Sequence, residues 1–221
     1  GIQRDADGNA LMNGDGTFVR TEEQILLGDI NPDWRMGITN GLQYKNWIFS
    51  FLIDIQKGGD IYSATNMYMH GVAANGLDGS GNYVENWTPT GGYSVTGVYA
   101  PGTVVNGQDV GGQTVERTID PQVYWSQYAV WGNEIHEPFV YDASYVKLRE
   151  IGLTYRFNKE AFGKKIRNVE ITISGRNLWL IHSNVPNIDP EASYTNGNGQ
   201  GVEYATYPIT RSVGFNLKVD L

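Results

Sequence analysis

Two pairs of carboxylates are the residues of this chain whose spacing best suits chemistry. Asp29 and Asp33 lie four residues apart, and Asp189 and Glu191 lie two residues apart. A glycoside hydrolase needs such a pair, because one carboxyl group protonates the leaving oxygen while the other acts as nucleophile or base. Both pairs stand beside proline in turn-like segments, where a carboxylate commonly accepts hydrogen bonds from nearby backbone N–H groups. We therefore expect loop capping at both places, and hydrolysis is the alternative.

The sequence offers little support for a metal site or a cofactor. Asp5, Asp7 and Asn9 imitate the start of a calcium-binding loop, but that loop requires Gly at its sixth position and Glu at its twelfth. Ala10 and Gly16 stand there instead. The histidines are single and lack metal-ligand spacing: His70, His136 and His182. Since the chain has no Cys, disulfides and thiolate metal sites are excluded, and we expect no metal and no cofactor.

The composition argues against nucleic acid as a partner and against a transmembrane helix. Acidic residues outnumber basic ones 24 to 16, whereas phosphate binding needs clustered Lys and Arg. The chain has 28 Gly, 14 Tyr and 6 Trp in 221 residues, and its apolar residues come in short alternating bursts and never in the long run that a membrane helix needs. Such alternation is typical of transmembrane β-barrels, whose strands face lipid and lumen in turn.

The stretch from Tyr141 to Phe157 shows this alternation best. In its second half the apolar residues Ile151, Leu153, Tyr155 and Phe157 occupy every other position. Thr154 and Arg156, which lie between them, are then expected to face a polar lumen. The first half has the opposite phase, so we predict a β-bulge, or the point where the strand leaves the membrane, near Arg149–Glu150.

Five strands of this kind are predicted, at about 34–44, 47–57, 144–157, 168–181 and 210–221. The first two form a hairpin through the two-residue turn Lys45–Asn46. Tyr44 and Trp47 flank that turn and Trp34 lies at the far end, which suits the two aromatic girdles of a barrel. Five strands cannot close a single-chain barrel, which needs an even number of at least eight. We therefore expect this chain to be a piece of a longer protein, with further strands upstream.

The segments between the strands, 1–33, 58–140 and 182–209, are rich in Gly, Asn and Asp and are predicted to be outer loops. A loop of about eighty residues is unusual in a soluble domain, but long outer loops are typical of these barrels. A soluble β-sandwich gives the same alternation in its hairpins and remains an alternative.

Six segments of the chain carry a family resemblance. They are GDINPDW at 28–34, YKNWIFSFLIDIQKGGDIYSAT at 44–65, YDASYVKLREIGLTYRF at 141–157, ISGRNLWLI at 173–181, IDPEA at 188–192 and YPITRSVGFNLKVDL at 207–221. Together and in this order they resemble the C-terminal end of the SusC/RagA family of TonB-linked (TonB-dependent) outer-membrane transporters. The chain departs from the family in lacking the plug and the Ton box, and in ending at Leu221 where an aromatic residue is more usual.

The resemblance implies an all-β fold: the last strands of a 22-stranded transmembrane antiparallel β-barrel with long extracellular loops. A plug domain and earlier strands, absent here, then complete the barrel in the outer membrane of Bacteroidota. A SusD-like surface lipoprotein is implied as the lid, and TonB as the source of energy for importing a glycan, oligosaccharide or peptide. No covalent chemistry is required, so the resemblance implies a protein that is not an enzyme.

The predicted contacts with ligand or lid are seven loop aromatics: Trp87, Tyr93, Trp125, Tyr128, Trp131, Tyr204 and Tyr207. For the cluster that begins at Tyr124, packing within the loop's own small core is an equally good interpretation. A soluble carbohydrate-binding module with a β-sandwich fold stays open as the alternative function.

Overall fold

The structure is a computed structural model that describes residues 1–72, 92–129, 135–158, 168–195, 197 and 199–220. Its strands, in chain order, are β1 Leu11–Met12, β2 Trp34–Tyr44, β3 Trp47–Lys57, β4 Asp60–Ser63, β5 Tyr93–Tyr99, β6 Val104–Val105, β7 Gln108–Asp109, β8 Thr114–Ile119, β9 Val140–Asp142, β10 Tyr145–Arg156, β11 Asn168–Ser183, β12 Val202–Glu203 and β13 Ser212–Asp220. The helices are α1 Ala64–Val72 and α2 Pro121–Ala129, and a single 3-10 turn spans Glu137–Phe139. In the described part of the chain neither helix is long and apolar enough to cross a membrane.

The chain folds into two compact units, each built from three stretches of sequence. We call the first the mixed unit: Gly1–Gly28, Tyr62–Val140 and Glu203–Ala205. We call the second the sheet unit: Asp29–Ile61, Tyr141–Val202 and Thr206–Leu221.

The sheet unit is a five-stranded antiparallel sheet in the order β13-β11-β10-β3-β2. Its first two strands have the bounds that the alternation predicts, and Tyr44 pairs with Trp47 across the turn. Lys45 in that turn has a positive φ of 51°, the left-handed conformation that two-residue hairpin turns favour. The other three strands, β10, β11 and β13, lie within two residues of the predicted bounds at each end.

The two faces of this sheet differ in polarity. One face carries apolar side chains that stay exposed: Trp34, Met36, Ile38, Leu42, Leu153, Ile173, Val213, Phe215, Leu217 and Val219. The other face is polar, and on it the Thr154 and Thr172 hydroxyl oxygens lie 2.7 Å apart. Two residues further along the same pair of strands, Arg156 Nε donates to Glu170 Oε1 at 2.8 Å. A sheet of this kind matches the wall of a barrel, with lipid on one side and a polar lumen on the other.

A β-bulge interrupts β10 where the sequence predicts one. The register of β10 shifts between Leu148 and Glu150 against both neighbouring strands, and against β3 this leaves Arg149 as the extra residue. Because of this extra residue, Lys147 lies on the same face as Thr154 although an odd number of positions separates them. The prediction of a bulge is confirmed.

The mixed unit shows that parts of 1–33 and 58–140, which the sequence analysis predicts to be outer loops, contain strands and helices. β1, β5 and β8 form a three-stranded sheet in the order β1-β5-β8, in which β1 and β5 are parallel. A small core of Met12, Val95 and Ile119 covers it, with Phe18, Val115 and Tyr124 packed around. The two residues of β1 carry no readable alternation, and the short alternating runs of β5 and β8 were not predicted as strands.

The Asp5 segment is a turn within the mixed unit. Asp5 Oδ1 accepts the backbone N–H groups of Asp7 at 3.0 Å and Asn9 at 2.8 Å. These hydrogen bonds are typical of an Asx turn.

Candidate functional site

A cluster of five charged side chains lies on the polar face of the sheet unit, where β3 and β10 pair. Lys147 Nζ is 2.6 Å from Asp189 Oδ1 and 2.6 Å from Glu191 Oε2. Arg149 Nε donates to Asp54 Oδ2 at 2.7 Å, and the Arg149 guanidinium also pairs with Glu191 Oε1. We call these five residues the charge cluster.

Tyr145 completes the cluster. Its hydroxyl lies 2.9 Å from Glu191 Oε1 and 3.1 Å from Asp54 Oδ2, and with one hydrogen it donates to one of the two carboxylates at a time. Lys147 Nζ lies 4.9 Å from the centre of the Tyr145 ring, within the range of a cation–π contact. The phenol therefore supports both a carboxylate and an ammonium group.

The strands position these side chains through their register. Asp54 and Lys147 lie directly opposite each other on β3 and β10, and Arg149, two residues after Lys147, lies on the same polar face. The two other carboxylates come from the segment after β11, at Asp189 and Glu191. The charge cluster therefore fastens this segment to the polar face of the sheet.

The charges of the cluster do not balance, since three carboxylates face two cations. Only 5% of the Lys147 side chain is exposed, so its ammonium group depends on its carboxylate partners. Burial acts to raise the pKa of Glu191, but hydrogen bonds from Arg149 and Lys147 outweigh it and lower that pKa to about 2. Glu191 is therefore ionised at neutral pH. A glycosidase acid needs the opposite shift.

One carboxylate of each pair caps a turn, as the sequence analysis expects. Asp189 Oδ1 accepts the backbone N–H of Glu191 at 2.9 Å. Asp29 Oδ1 accepts the backbone N–H of Asn31 at 2.9 Å, and this bond together with one from the Asn31 side chain lowers the pKa of Asp29. The expected loop capping is confirmed at both places, and for Asp189 and Glu191 it is combined with ion pairing.

A cavity of about 540 Å³ adjoins the anchored segment within the sheet unit. Its lining includes apolar residues such as Ile30, Pro32 and Pro190 and polar ones such as Arg35 and Gln56. This volume lies in the range of small-molecule pockets. We call it the Gln56 cavity.

The predicted aromatic residues do not come together as one site. Trp87 and Trp131 lie outside the described residues. Tyr93, Trp125 and Tyr128 do meet in the mixed unit, where Trp125 Nε1 donates to the Tyr93 hydroxyl at 3.0 Å. The Trp125 and Tyr128 rings lie 5.8 Å apart, and Tyr128 is only 1% exposed. These three residues pack a small core, which the sequence analysis gave as the equally good interpretation.

The two remaining predicted aromatics lie in different units. Tyr204 is 50% exposed in the mixed unit, and its ring meets that of Tyr68 edge-on at 5.8 Å. Tyr207 is 95% exposed in the sheet unit. These two offer surface for a partner, and the charge cluster is the site that sequence reasoning missed.

Comparison with known proteins relates the chain to TonB-dependent receptors. No family model matches it. It is 30% identical to TonB-dependent receptor P3 of Formosa agariphila over 218 residues, which is 95% of this chain and 18% of that protein. It is 27% identical to TonB-dependent receptor P26 of the same organism, over 94% of this chain and 19% of that protein. The chain thus spans less than a fifth of the length of these relatives.

Solved structures show the same fold. The RagAB peptide importer in its closed-closed state superposes with a TM-score of 0.54 at 16% identity, covering 98% of this chain and 20% of that chain. The open-open state of that importer gives 0.52 at 15% identity, covering 99% of this chain and 19% of that chain. The antiparallel strands, with one lipid-facing side, are part of the wall of an outer-membrane β-barrel. Over nearly its whole length the chain is thus similar to TonB-dependent receptors, and it shares the fold of the RagAB importer, in agreement with the predicted SusC/RagA resemblance, fold class and outer-membrane location.

Proposed function

We propose that the protein containing this chain imports a nutrient across the outer membrane, driven by TonB and assisted by a SusD-like surface lipoprotein. The observation that carries this proposal is the five-stranded sheet, which is apolar and exposed on one face and polar on the other. The sequence similarity to TonB-dependent receptors supports import as the direction of transport and TonB as the energy source. In this proposal the chain supplies the C-terminal strands of a 22-stranded barrel, with segments 1–33, 58–140 and 182–209 outside the cell and the plug in the part not present here.

The cargo we propose is a peptide or an oligosaccharide, held between the outer loops and the lipoprotein. The structural neighbour is by its name a peptide importer, which supports a peptide. Tyr204 and Tyr207, the two exposed residues among the described members of the predicted aromatic set, are the candidates for contact with the lid or the cargo. We propose no catalytic step, because the ionised Glu191 serves as an ion-pair anchor and does not suit a proton donor.

A soluble carbohydrate-binding module is the alternative function. A β-sandwich must cover the apolar face of its sheet with a second sheet. In the described residues, Val213, Phe215 and Leu217 on that face remain 77%, 68% and 56% exposed. Exposure on this scale favours contact with lipid.

The proposal is tested with the intact receptor in its native outer membrane. Phe215→Lys places a charge on the apolar face and is expected to lose folded barrel from the membrane, since such a charge costs about 2–4 kcal/mol near the bilayer midplane. Asn216→Lys, one residue along on the polar face, is the matched control and is expected to assemble normally. Equal assembly of both variants, or a receptor that is found in the soluble fraction, contradicts a membrane wall.

Transport is measured separately in cells. Deletion of the receptor gene, of its neighbouring lipoprotein gene or of TonB is expected to abolish growth on the cargo, tested with peptide mixtures and with oligosaccharides as the limiting nutrient. Growth of the receptor deletion strain at the wild-type rate on every nutrient of both classes contradicts import.

A further inference from the structure

The Gln56 cavity contains a buried hydrogen-bond acceptor without a partner. Gln56 is 5% exposed, and its Nε2 donates to the carbonyl oxygens of Gly58 at 3.3 Å and Ala143 at 3.2 Å. These two carbonyls fix the amide orientation, because a flipped amide would set oxygen against oxygen. Oε1 is the buried side-chain polar atom that finds no partner among the described residues. A buried acceptor of this kind calls for a donor beyond the described residues of this chain.

The same cavity is lined by an arginine that has no carboxylate partner. Arg35 lies directly opposite Gln56 in the β2–β3 register and takes part in none of the ion pairs found among the described residues. A guanidinium group binds a carboxylate through two parallel hydrogen bonds. Directly opposite side chains start about 4.5–5.5 Å apart, so one small ligand is able to reach both residues.

The acidic residues that line the cavity determine the charge expected on the hydrogen-bond donor of such a ligand. Glu191 lines the cavity, but its charge is offset by Lys147 and Arg149. Asp60 also lines it, and from the described residues its side chain accepts one backbone hydrogen bond, from the N–H of Asp29 to Oδ2 at 2.9 Å. Its negative charge favours a cationic donor beside Gln56 over a neutral one.

We propose that the Gln56 cavity binds a small α-amino acid, whose carboxylate pairs with Arg35 and whose ammonium group donates to Gln56 Oε1 and faces Asp60. The apolar residues Ile30 and Pro190 leave room for a small aliphatic side chain. The cavity contains an acceptor, a cation and an anion, and an amino acid carries the complement of each. This inference goes beyond the proposed import function, and it is tested by a binding measurement that does not depend on transport.

The test is calorimetric titration of the intact receptor in detergent with three probes: L-alanine, L-alaninamide and propionate. L-Alaninamide lacks the carboxylate and propionate lacks the donor. Saturable binding is expected for L-alanine, with each analogue at least about tenfold weaker, because each loses one charge-assisted contact. Absence of saturable binding of L-alanine at millimolar concentration, or equal binding of either analogue, overturns the proposal.

Arg35→Met identifies the location of binding, and Arg211→Met is the matched control, since Arg211 is an exposed arginine of the sheet unit that does not line the cavity. Arg35→Met is expected to weaken L-alanine binding at least about tenfold, while Arg211→Met leaves it unchanged. Wild-type affinity in Arg35→Met overturns the proposal. If that variant fails to assemble, the three-probe series on the wild-type receptor decides by itself.

Discussion

Replacing Lys147 with methionine tests whether the charge cluster holds the segment around Glu191 against the sheet. Methionine keeps most of the length and the apolar stem of lysine and removes the ammonium group. Asp189 and Glu191 then each lose a partner at 2.6 Å. We expect the segment to open more often, while the strands of the sheet keep their pairing.

The size of the effect follows from burial. Removing one partner of a buried ion pair costs about 3–5 kcal/mol. Asp189 and Glu191 retain 18% and 23% side-chain exposure, and Glu191 keeps Arg149 as a partner, so we expect a smaller cost of about 2–3 kcal/mol. At about 1.4 kcal/mol per factor of ten, the opening constant rises about 30- to 150-fold.

Amide hydrogen exchange of the intact receptor measures this opening. The N–H groups of Glu191 and Ala192 are hydrogen-bonded to Asp189 Oδ1 and to its carbonyl oxygen, both at 2.9 Å, so they exchange when the segment opens. Lys218→Met is the matched control. The Lys218–Asp220 pair is 3.6 Å long and its side chains are 57% and 44% exposed, so its loss is expected to change exchange less than about fivefold.

A rise of less than about threefold in Lys147→Met would refute the reasoning, since it would mean that the ion pairs do not hold the segment. So would additivity in a double-mutant cycle with Glu191→Gln, because residues in direct ionic contact show a coupling energy of at least about 0.5 kcal/mol.

Three further perturbations probe other features. Because the pKa of Glu191 is low in the closed segment, opening in acid takes up a proton. The closed segment is therefore expected to keep its stability above pH 4.5 and to lose it progressively towards pH 2, and Glu191→Gln is expected to show no such pH dependence. Hydrogen exchange, corrected for its intrinsic pH dependence, measures this difference. Gly201→Ala places a methyl group 2.1 Å from an isoleucine of the cavity wall at a φ of +79°, whereas the control Gly107→Ala has the same φ and open space around the new methyl group. In thermal unfolding, Gly201→Ala is expected to lower the free energy of unfolding by about 1–3 kcal/mol more than Gly107→Ala does. Tyr128→Ala removes a ring that is 1% exposed and is expected to cost the mixed unit about 3–5 kcal/mol, while Tyr207→Ala stays within about 0.5 kcal/mol in the same melts.

The strands of the sheet unit were predictable because their signal is local. In β3, Phe49, Phe51, Ile53 and Ile55 alternate with polar or smaller residues, and lipid and lumen demand that pattern at every position. The bulge was predictable for the same reason, since an extra residue at Arg149 inverts the phase of a pattern that is regular on both sides.

The charge cluster was not predictable, because its contacts are distant in sequence. Lys147 meets Asp189 and Glu191 across 42 and 44 residues. From sequence the two acids show only their own spacing, and that spacing suits turn capping, ion pairing and catalysis equally. The signal that points to the cluster is the pair of cations Lys147 and Arg149, which lie two residues apart next to the phase slip.

The mixed unit escaped prediction because its sheet is built from short pieces. Leu11 pairs with Val98, and the core residues Met12, Val95 and Ile119 come from three separated stretches. A strand of two residues has no period to read. The aromatic residues of this unit were predicted as possible core, and burial of Tyr128 agrees with that.

The three-part construction of the mixed unit has a consequence for its biogenesis. The Glu203 carboxylate is fully buried and accepts hydrogen bonds from the Ser63 and Thr65 hydroxyls, at 2.8 Å and 2.7 Å, across about 140 residues. A ribosome makes Ser63 and Thr65 early, yet it releases Glu203 only after β10 and β11. These polar contacts of the mixed unit therefore cannot form until the residues of β10 and β11 have been synthesised.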